Sequence, residues 1–188
     1  MNLASRIAIA GMAGIAALTI ACGTDLLPAH THVPQQTVNL GSDLAVCPGA
    51  NSYVQELFNL VNQYRIENNL PPLKELAKLT NAARWMTEDM ATKNYFSHTD
   101  SLGRSPYARM DLFGYNYNTW RGENLGAGFS NAEAAFLGFK NSPEHKAAML
   151  DPNYLVTGLA FSCNPDSQYW YYWAQEFGGT EDKPSFAK

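Results

Sequence analysis

Two imidazoles and a carboxylate sit in three short polar islands of the chain. These are Phe96-Ser97-His98-Thr99-Asp100, then Gly122-Glu123-Asn124-Leu125-Gly126, then Ser142-Pro143-Glu144-His145-Lys146. Imidazole nitrogens and a carboxylate oxygen are donors that zinc accepts, with water able to take a remaining position. A metal-activated water could in turn hydrolyse a bond. Without metal, the same trio could move protons or form a hydrogen-bonded network that holds loops together. No nucleophile accompanies it. Ser97 and Ser142 lack a Gly-x-Ser-x-Gly elbow and read as turn or capping residues. No residue is therefore assigned a catalytic role. Asn124 reads as a brace for its own loop, because Asn side chains bond nearby backbone.

The elements that must position these islands follow from periodicity. Asn51 or Ser52 can cap a helix with Val54, Leu57, Phe58, Val61 and Tyr64 on one face, stopping before Asn68-Asn69 and Pro71-Pro72. A second helix is predicted over about 75–93, with Leu76, Leu79, Ala83, Met86 and Met90 as its stripe. His98 then lies just past its C-terminus, where the helix dipole favours positive charge. Ser105 caps a short helix through Phe113 with Pro106 at its first position, and an extended stretch leads to Gly122-Glu123-Asn124-Leu125-Gly126, read as a loop. Asn131 and Ser142-Pro143 begin two more helices. The tail differs: 154–163 and 168–177 read as strands around the turn Asn164-Pro165-Asp166-Ser167. The run Tyr169-Trp170-Tyr171-Tyr172-Trp173 is aromatic on both faces, as a strand covered above and below would be. The fold class expected is α+β, a three-layer α-β-α sandwich.

Outside that domain, Arg6 precedes an apolar run from Ile7 to Ala21, the pattern of a secretory signal over 1–21. Some ~15 apolar residues rising ~1.5 Å each fall short of a ~30 Å hydrocarbon core. Leu18-Thr19-Ile20-Ala21-Cys22 resembles a bacterial lipobox, which makes Cys22 the lipidation site; plain secretion is the alternative. Residues 22–46 read as a tether, lipid-anchored or free, so any membrane contact runs through the lipid. His30 and His32 lie within this Pro-containing linker and read as spacer. The domain itself spans 47–180, with 181–188 as a flexible tail. Cys47 and Cys163 form a readily made disulfide in an oxidising compartment, worth roughly 4–5 kcal/mol by chain entropy for so long a loop. A net charge of -4 without a basic patch excludes nucleic acid as a partner.

The order of motifs resembles the CAP superfamily (the SCP domain of cysteine-rich secretory proteins, antigen 5 and pathogenesis-related 1), in its bacterial branch. The resemblance rests on Leu60-Val61-Asn62-Gln63-Tyr64-Arg65, Phe96-Ser97-His98 with Gly103-Arg104-Ser105-Pro106, and Gly122-Glu123-Asn124-Leu125. It continues through Ser142-Pro143-Glu144-His145-Lys146, Pro152-Asn153-Tyr154 and Trp173-Ala174-Gln175-Glu176-Phe177-Gly178. It implies a cleft of two histidines and two acids able to bind zinc or another divalent cation, with His98, Glu123 and His145 as the matching residues. The family's second acid lies before the second histidine, where this chain has Lys140 and Asn141; Glu133, Glu144 and Glu176 are the acids left to consider. The resemblance further implies an extracytoplasmic, non-enzymatic module that binds a sterol, a fatty acid or another small apolar ligand, or a protein partner. The alternative is a metal-dependent hydrolase or protease at the cell envelope. A structural or adhesion lipoprotein with a vestigial cleft is a third reading.

Overall fold

The computed structural model describes Cys47 and residues 49–182 of the 188-residue chain. The signal, the lipobox cysteine Cys22, the whole tether and most of the tail lie outside the described residues. Helix α1 runs Ala50–Glu67 and buries Leu57, Val61, Tyr64 and Arg65. It starts earlier than the sequence suggests: Gly49 is its N-cap with φ 79, a left-handed conformation that suits glycine. A two-residue strand, β1 (Lys74–Glu75), precedes α2 (Ala77–Lys93). The expected helix start near 75 is displaced because these two residues pair in parallel with a later strand. Helix α2 ends at Asn94, whose left-handed backbone (φ 56) turns the chain toward His98.

Helix α3 (Pro106–Leu112) begins as expected, with Ser105 Oγ accepting the Ala108 N–H. The Gly-Glu-Asn segment is then a correction, because it is not a loop but strand β2 (Arg121–Ala127). Its neighbour is β4 (Tyr171–Gly178), antiparallel, with Arg121 opposite Gly178 and Ala127 opposite Tyr172. Gly122 is demanded by packing rather than by a turn, since a Cβ there would stand 2.3 Å from the Tyr154 hydroxyl. Between them come α4 (Ala132–Asn141), capped by Asn131, α5 (Pro143–Met149), opened by its proline, and β3 (Val156–Cys163). The expected strand start at 168 shifts to Tyr171, because Trp170 adopts φ 65 in the preceding turn and is exposed.

The sheet order is β1-β3-β4-β2. On one face Leu57, Val61, Phe139 and Met149 from α1, α4 and α5 pack onto Phe161, Trp173 and Phe177. On the other, Ala83, Met86 and Met90 of α2 pack onto Ala160, Tyr172 and Ala174, with Leu79, Met110 and Val156 beside them. The three-layer sandwich is therefore present, with both sheet faces covered. Gly158 permits the close approach of α2, because a Cβ there would meet the Thr80 nitrogen at 2.0 Å. Cys47 and Cys163 are joined in a disulfide with Cα atoms 5.7 Å apart, tying the entrance of α1 to the end of β3. Among the described residues no helix is long and apolar enough to cross a membrane.

Candidate functional site

The segment carrying His98 is tied down on both sides. Asp89, buried on α2, accepts Ser101 N–H at 2.8 Å and Ser101 Oγ–H at 2.6 Å, and also takes the Tyr95 hydroxyl. Asp100 accepts the backbone N–H groups of Leu102 (3.0 Å) and Arg104 (2.8 Å), Arg104 Nε–H (2.7 Å) and Trp85 Nε1–H (3.2 Å). Burial alone would raise the Asp100 carboxyl, but hydrogen bonds from the Arg104 backbone and guanidinium outweigh it and hold the group below its ordinary range. Asp100 is thus an anchor of the loop and not a member of the cleft.

Arg109, on α3, is the organising cation. It is fully buried and donates from Nη1 to the carbonyls of His98 (2.9 Å) and Arg104 (3.3 Å). Its Nη2 pairs with Glu123 Oε2 and lies 3.8 Å from Glu176 Oε1. The other Glu123 oxygen is 2.7 Å from His98 Nδ1. Since a carboxylate can only accept, Nδ1 carries the proton and donates it to Glu123. The Glu123 side chain is only 1% exposed, whereas that of His98 is 56% exposed. The pair therefore runs from the interior to the surface.

Behind Glu123 stands Glu176, its direct partner across the β2–β4 ladder. The Glu176 carbonyl accepts Thr157 Oγ1–H from β3, so its peptide groups face β3 and the Glu123–Glu176 pair is of the non-hydrogen-bonded kind, in which side chains approach most closely. Glu176 is fully buried, and no donor among the described residues reaches either of its oxygens. Burial first, then the facing charge of Glu123, push its carboxyl well above the ordinary range, with Arg109 opposing. Glu176 therefore keeps its proton to higher pH than an ordinary carboxyl, and once protonated it can donate to Glu123.

His145 lies half-buried on α5, its ring edge-on to Phe139 at 5.2 Å. Burial, then the charge of nearby His98, lower its pKa against the opposing pull of Glu144, so it is neutral near pH 7. Asn124 does not brace its own segment, because its Nδ2 donates to the His145 carbonyl at 3.1 Å, clamping β2 to α5. Of the acids left open by the sequence, Glu133 and Glu144 are exposed on their helices, and Glu176 is the one facing Glu123. Arg109 was missed altogether. Reading Gly-Glu-Asn as a strand paired with the closing strand would have brought the two glutamates together; no sequence signal marks Arg109 as buried.

The expected ligand trio is therefore rearranged. Glu123 uses both oxygens internally, one on His98 and one on Arg109. Among the described residues no group of three or more His, Cys, Asp or Glu is arranged to hold a metal. The two imidazoles fit a transition-metal ion as nitrogen donors, and Glu123 fits as the carboxylate that orients one of them.

A family model for the cysteine-rich secretory protein family, CAP, matches residues 58–177, more than half of the chain. The chain belongs to this family. That span holds every residue of the cleft described above. The uncharacterized protein YkwD of Bacillus subtilis (strain 168) is 31% identical over 129 residues, covering 69% of this chain and 48% of that protein. An extracellular SCP-domain protein of Bacillus anthracis superposes with a TM-score of 0.62 at 27% identity, over 70% of this chain and 41% of that one. An outer surface protein of Borrelia burgdorferi shares the fold with a TM-score of 0.63 at 20% identity, over 69% of this chain and 94% of its own. This CAP chain thus spans about half, or less, of the length of its Bacillus relatives.

Proposed function

We propose that this CAP domain is a non-enzymatic, extracytoplasmic binding module whose cleft presents His98 and His145 as a pair of nitrogen donors to a divalent cation such as zinc. A small apolar ligand or protein partner would be held beside it. The observation that carries this reading is the commitment of both Glu123 oxygens, to His98 Nδ1 at 2.7 Å and to Arg109. A carboxylate so engaged cannot also serve as a free base, but it fixes the ring and tautomer of His98 and leaves Nε2 for a ligand. His145, held neutral by burial, supplies a second lone pair. Binding is favoured over turnover because Glu123, engaged through both oxygens, is no free base for a metal-bound water, and no hydroxyl or thiol among the described residues is bonded to either ring. Ser97 Oγ accepts the Thr99 N–H, Ser142 Oγ bonds Glu144, and Cys163 is in the disulfide. The extracellular and outer-surface relatives support the compartment.

Zinc titration by calorimetry tests the reading. One saturable site is expected in the folded protein, lost in His98→Ala and in His145→Ala. Glu123→Gln should weaken it by about 10–100-fold rather than abolish it, the effect of removing an orienting partner. Zinc binding that survives both histidine substitutions, or no binding by the folded protein, overturns the cation-binding cleft.

A further inference from the structure

A second feature, remote from the histidines, is the outer edge of β3. On its inner side β3 pairs with β4 along its whole length, but on its outer side β1 covers only Val156 and Thr157. The Leu76 N–H donates to the Thr157 carbonyl at 2.9 Å, so the Thr157 peptide groups face outward toward β1. By the two-residue period of a strand, those of Leu159 and Phe161 face the same way. Among the described residues nothing takes up these outward groups.

The edge is not bare surface. Helices α1 and α2 stand on either side of it and form a cleft of about 250 Å³, lined by Val54 and Phe58 from α1, Arg84 and Glu88 from α2, and Leu159 and Phe161 below. Exposed edges are normally guarded by lysine, proline or a bulge, yet β3 reads Val-Thr-Gly-Leu-Ala-Phe-Ser-Cys, with no charge and no proline. Glu88 is half-buried and makes no hydrogen bond with a described residue. Its carboxyl is raised by burial, against the opposing effect of Arg84.

We propose that the β3 edge is a docking strand for an extended polypeptide with alternating apolar and cationic side chains. Its main chain pairs with Leu159 and Phe161 in line with β1, its apolar side chains lie on Val54 and Phe58, and a cation meets Glu88. The alternation follows from the two walls. Leu159 and Phe161 belong to the α1 face of the sheet and Ala160 to the α2 face, so successive residues of an added strand would meet an apolar wall and then a charged one, in a cleft where Glu75 and Glu88 outnumber Arg84. Regularly spaced peptide donors and acceptors are matched by another strand; a sterol or acyl chain would leave them unpaired.

A short capped peptide of alternating valine and lysine tests this by nuclear magnetic resonance on the folded protein. Hydrogen exchange at the Leu159 and Phe161 amides should slow by about 10-fold or more on saturation. N-methylating the peptide nitrogens that face β3 should abolish the effect, whereas methylating the alternate ones should not. Glu88→Gln, which preserves shape, should weaken binding, and a valine–glutamate peptide should not bind. Binding indifferent to N-methylation, shifts confined to other surfaces, or no binding would overturn the proposal. Slow exchange at both amides without peptide would overturn it too. If independent of protein concentration, it would give the edge to this chain's own residues; if dependent on it, to a second copy.

Discussion

Replacing Glu176 by glutamine asks whether the innermost acid of the cleft holds a proton. Glu176 is fully buried, faces Glu123 across the ladder, and has a carboxyl raised well above 4.5 by that burial and that charge. Between 4.5 and the raised value, the native protein keeps a proton that the unfolded chain has released. The unfolded state then binds one proton fewer, so native stability falls by about 1.4 kcal/mol per pH unit as pH rises through this window. The stabilisation is complete below the unfolded value and is lost as pH climbs through the folded one. Glutamine keeps the shape and can still donate to Glu123, but it cannot titrate. Stability of Glu176→Gln relative to the parent should therefore be flat in acid and then rise by about 1.4 kcal/mol per pH unit. Urea unfolding followed from about pH 4.5 to about pH 8, extrapolated linearly to water, reads this difference. Contributions from His145, Asp100 and Glu88 are common to both proteins and cancel. A difference that stays flat throughout, or that falls as pH rises, would refute the assignment of the proton to Glu176.

Arg109→Met removes the cation that Glu123 and Glu176 share, together with the donors to the His98 and Arg104 carbonyls. About 3–5 kcal/mol should be lost near pH 7. The loss should shrink toward acid, because an unpaired buried carboxylate has a raised folded pKa and is stabilised by protonation; a deficit unchanged by pH, or under about 1 kcal/mol, would count against the buried ion pair. Cys47→Ser with Cys163→Ser should cost about 4–5 kcal/mol by loop-closure entropy across a sequence separation of 116, read as a drop in the urea midpoint, and equal midpoints would show that the bond does not constrain the chain. Asn124→Ala should cost about 0.5–1.5 kcal/mol by removing its hydrogen bond to the His145 carbonyl, and should shift the His145 ring resonances while leaving those of His98 in place. Movement of both rings alike would mean that Asn124 acts on the whole cleft.

How much of this was legible in the sequence depended on how local the cause was. The helices were visible because their stripes recur at three and four, and Ser105, Asn131 and Pro143 mark starts by bonds or ring geometry confined to a few residues. Strand β2 was hidden for the opposite reason. Arg121 to Ala127 contains two glycines, an asparagine and a glutamate, a composition with little intrinsic strand preference, and it is extended because β4 and its aromatic face are there to pair with. Missing the strand meant missing the register, and only the register sets Glu176 opposite Glu123. Arg109 was invisible for a related reason. An arginine in a short polar helix reads as a solvated charge, and this one is buried only because two carbonyls of the preceding loop and two carboxylates of strands β2 and β4 converge on it. His98, Glu123 and His145 do lie near one another, but the division of labour among them is a property of the assembled fold.

That division of labour bears on why the cleft carries so many ionisable groups. Its groups divide by exposure: Glu176, Arg109 and Glu123 are buried together, the last two as an ion pair beside the raised carboxyl of Glu176, and His98 at the rim is half in water. A lone buried Glu123 would be too costly to keep ionised, and Arg109 removes that cost while also gripping the His98 carbonyl. The same guanidinium thus fixes both the backbone of His98 and the carboxylate that orients its ring. An exposed imidazole held at both ends loses little freedom when a ligand arrives, and this pre-organisation is what a recognition site requires.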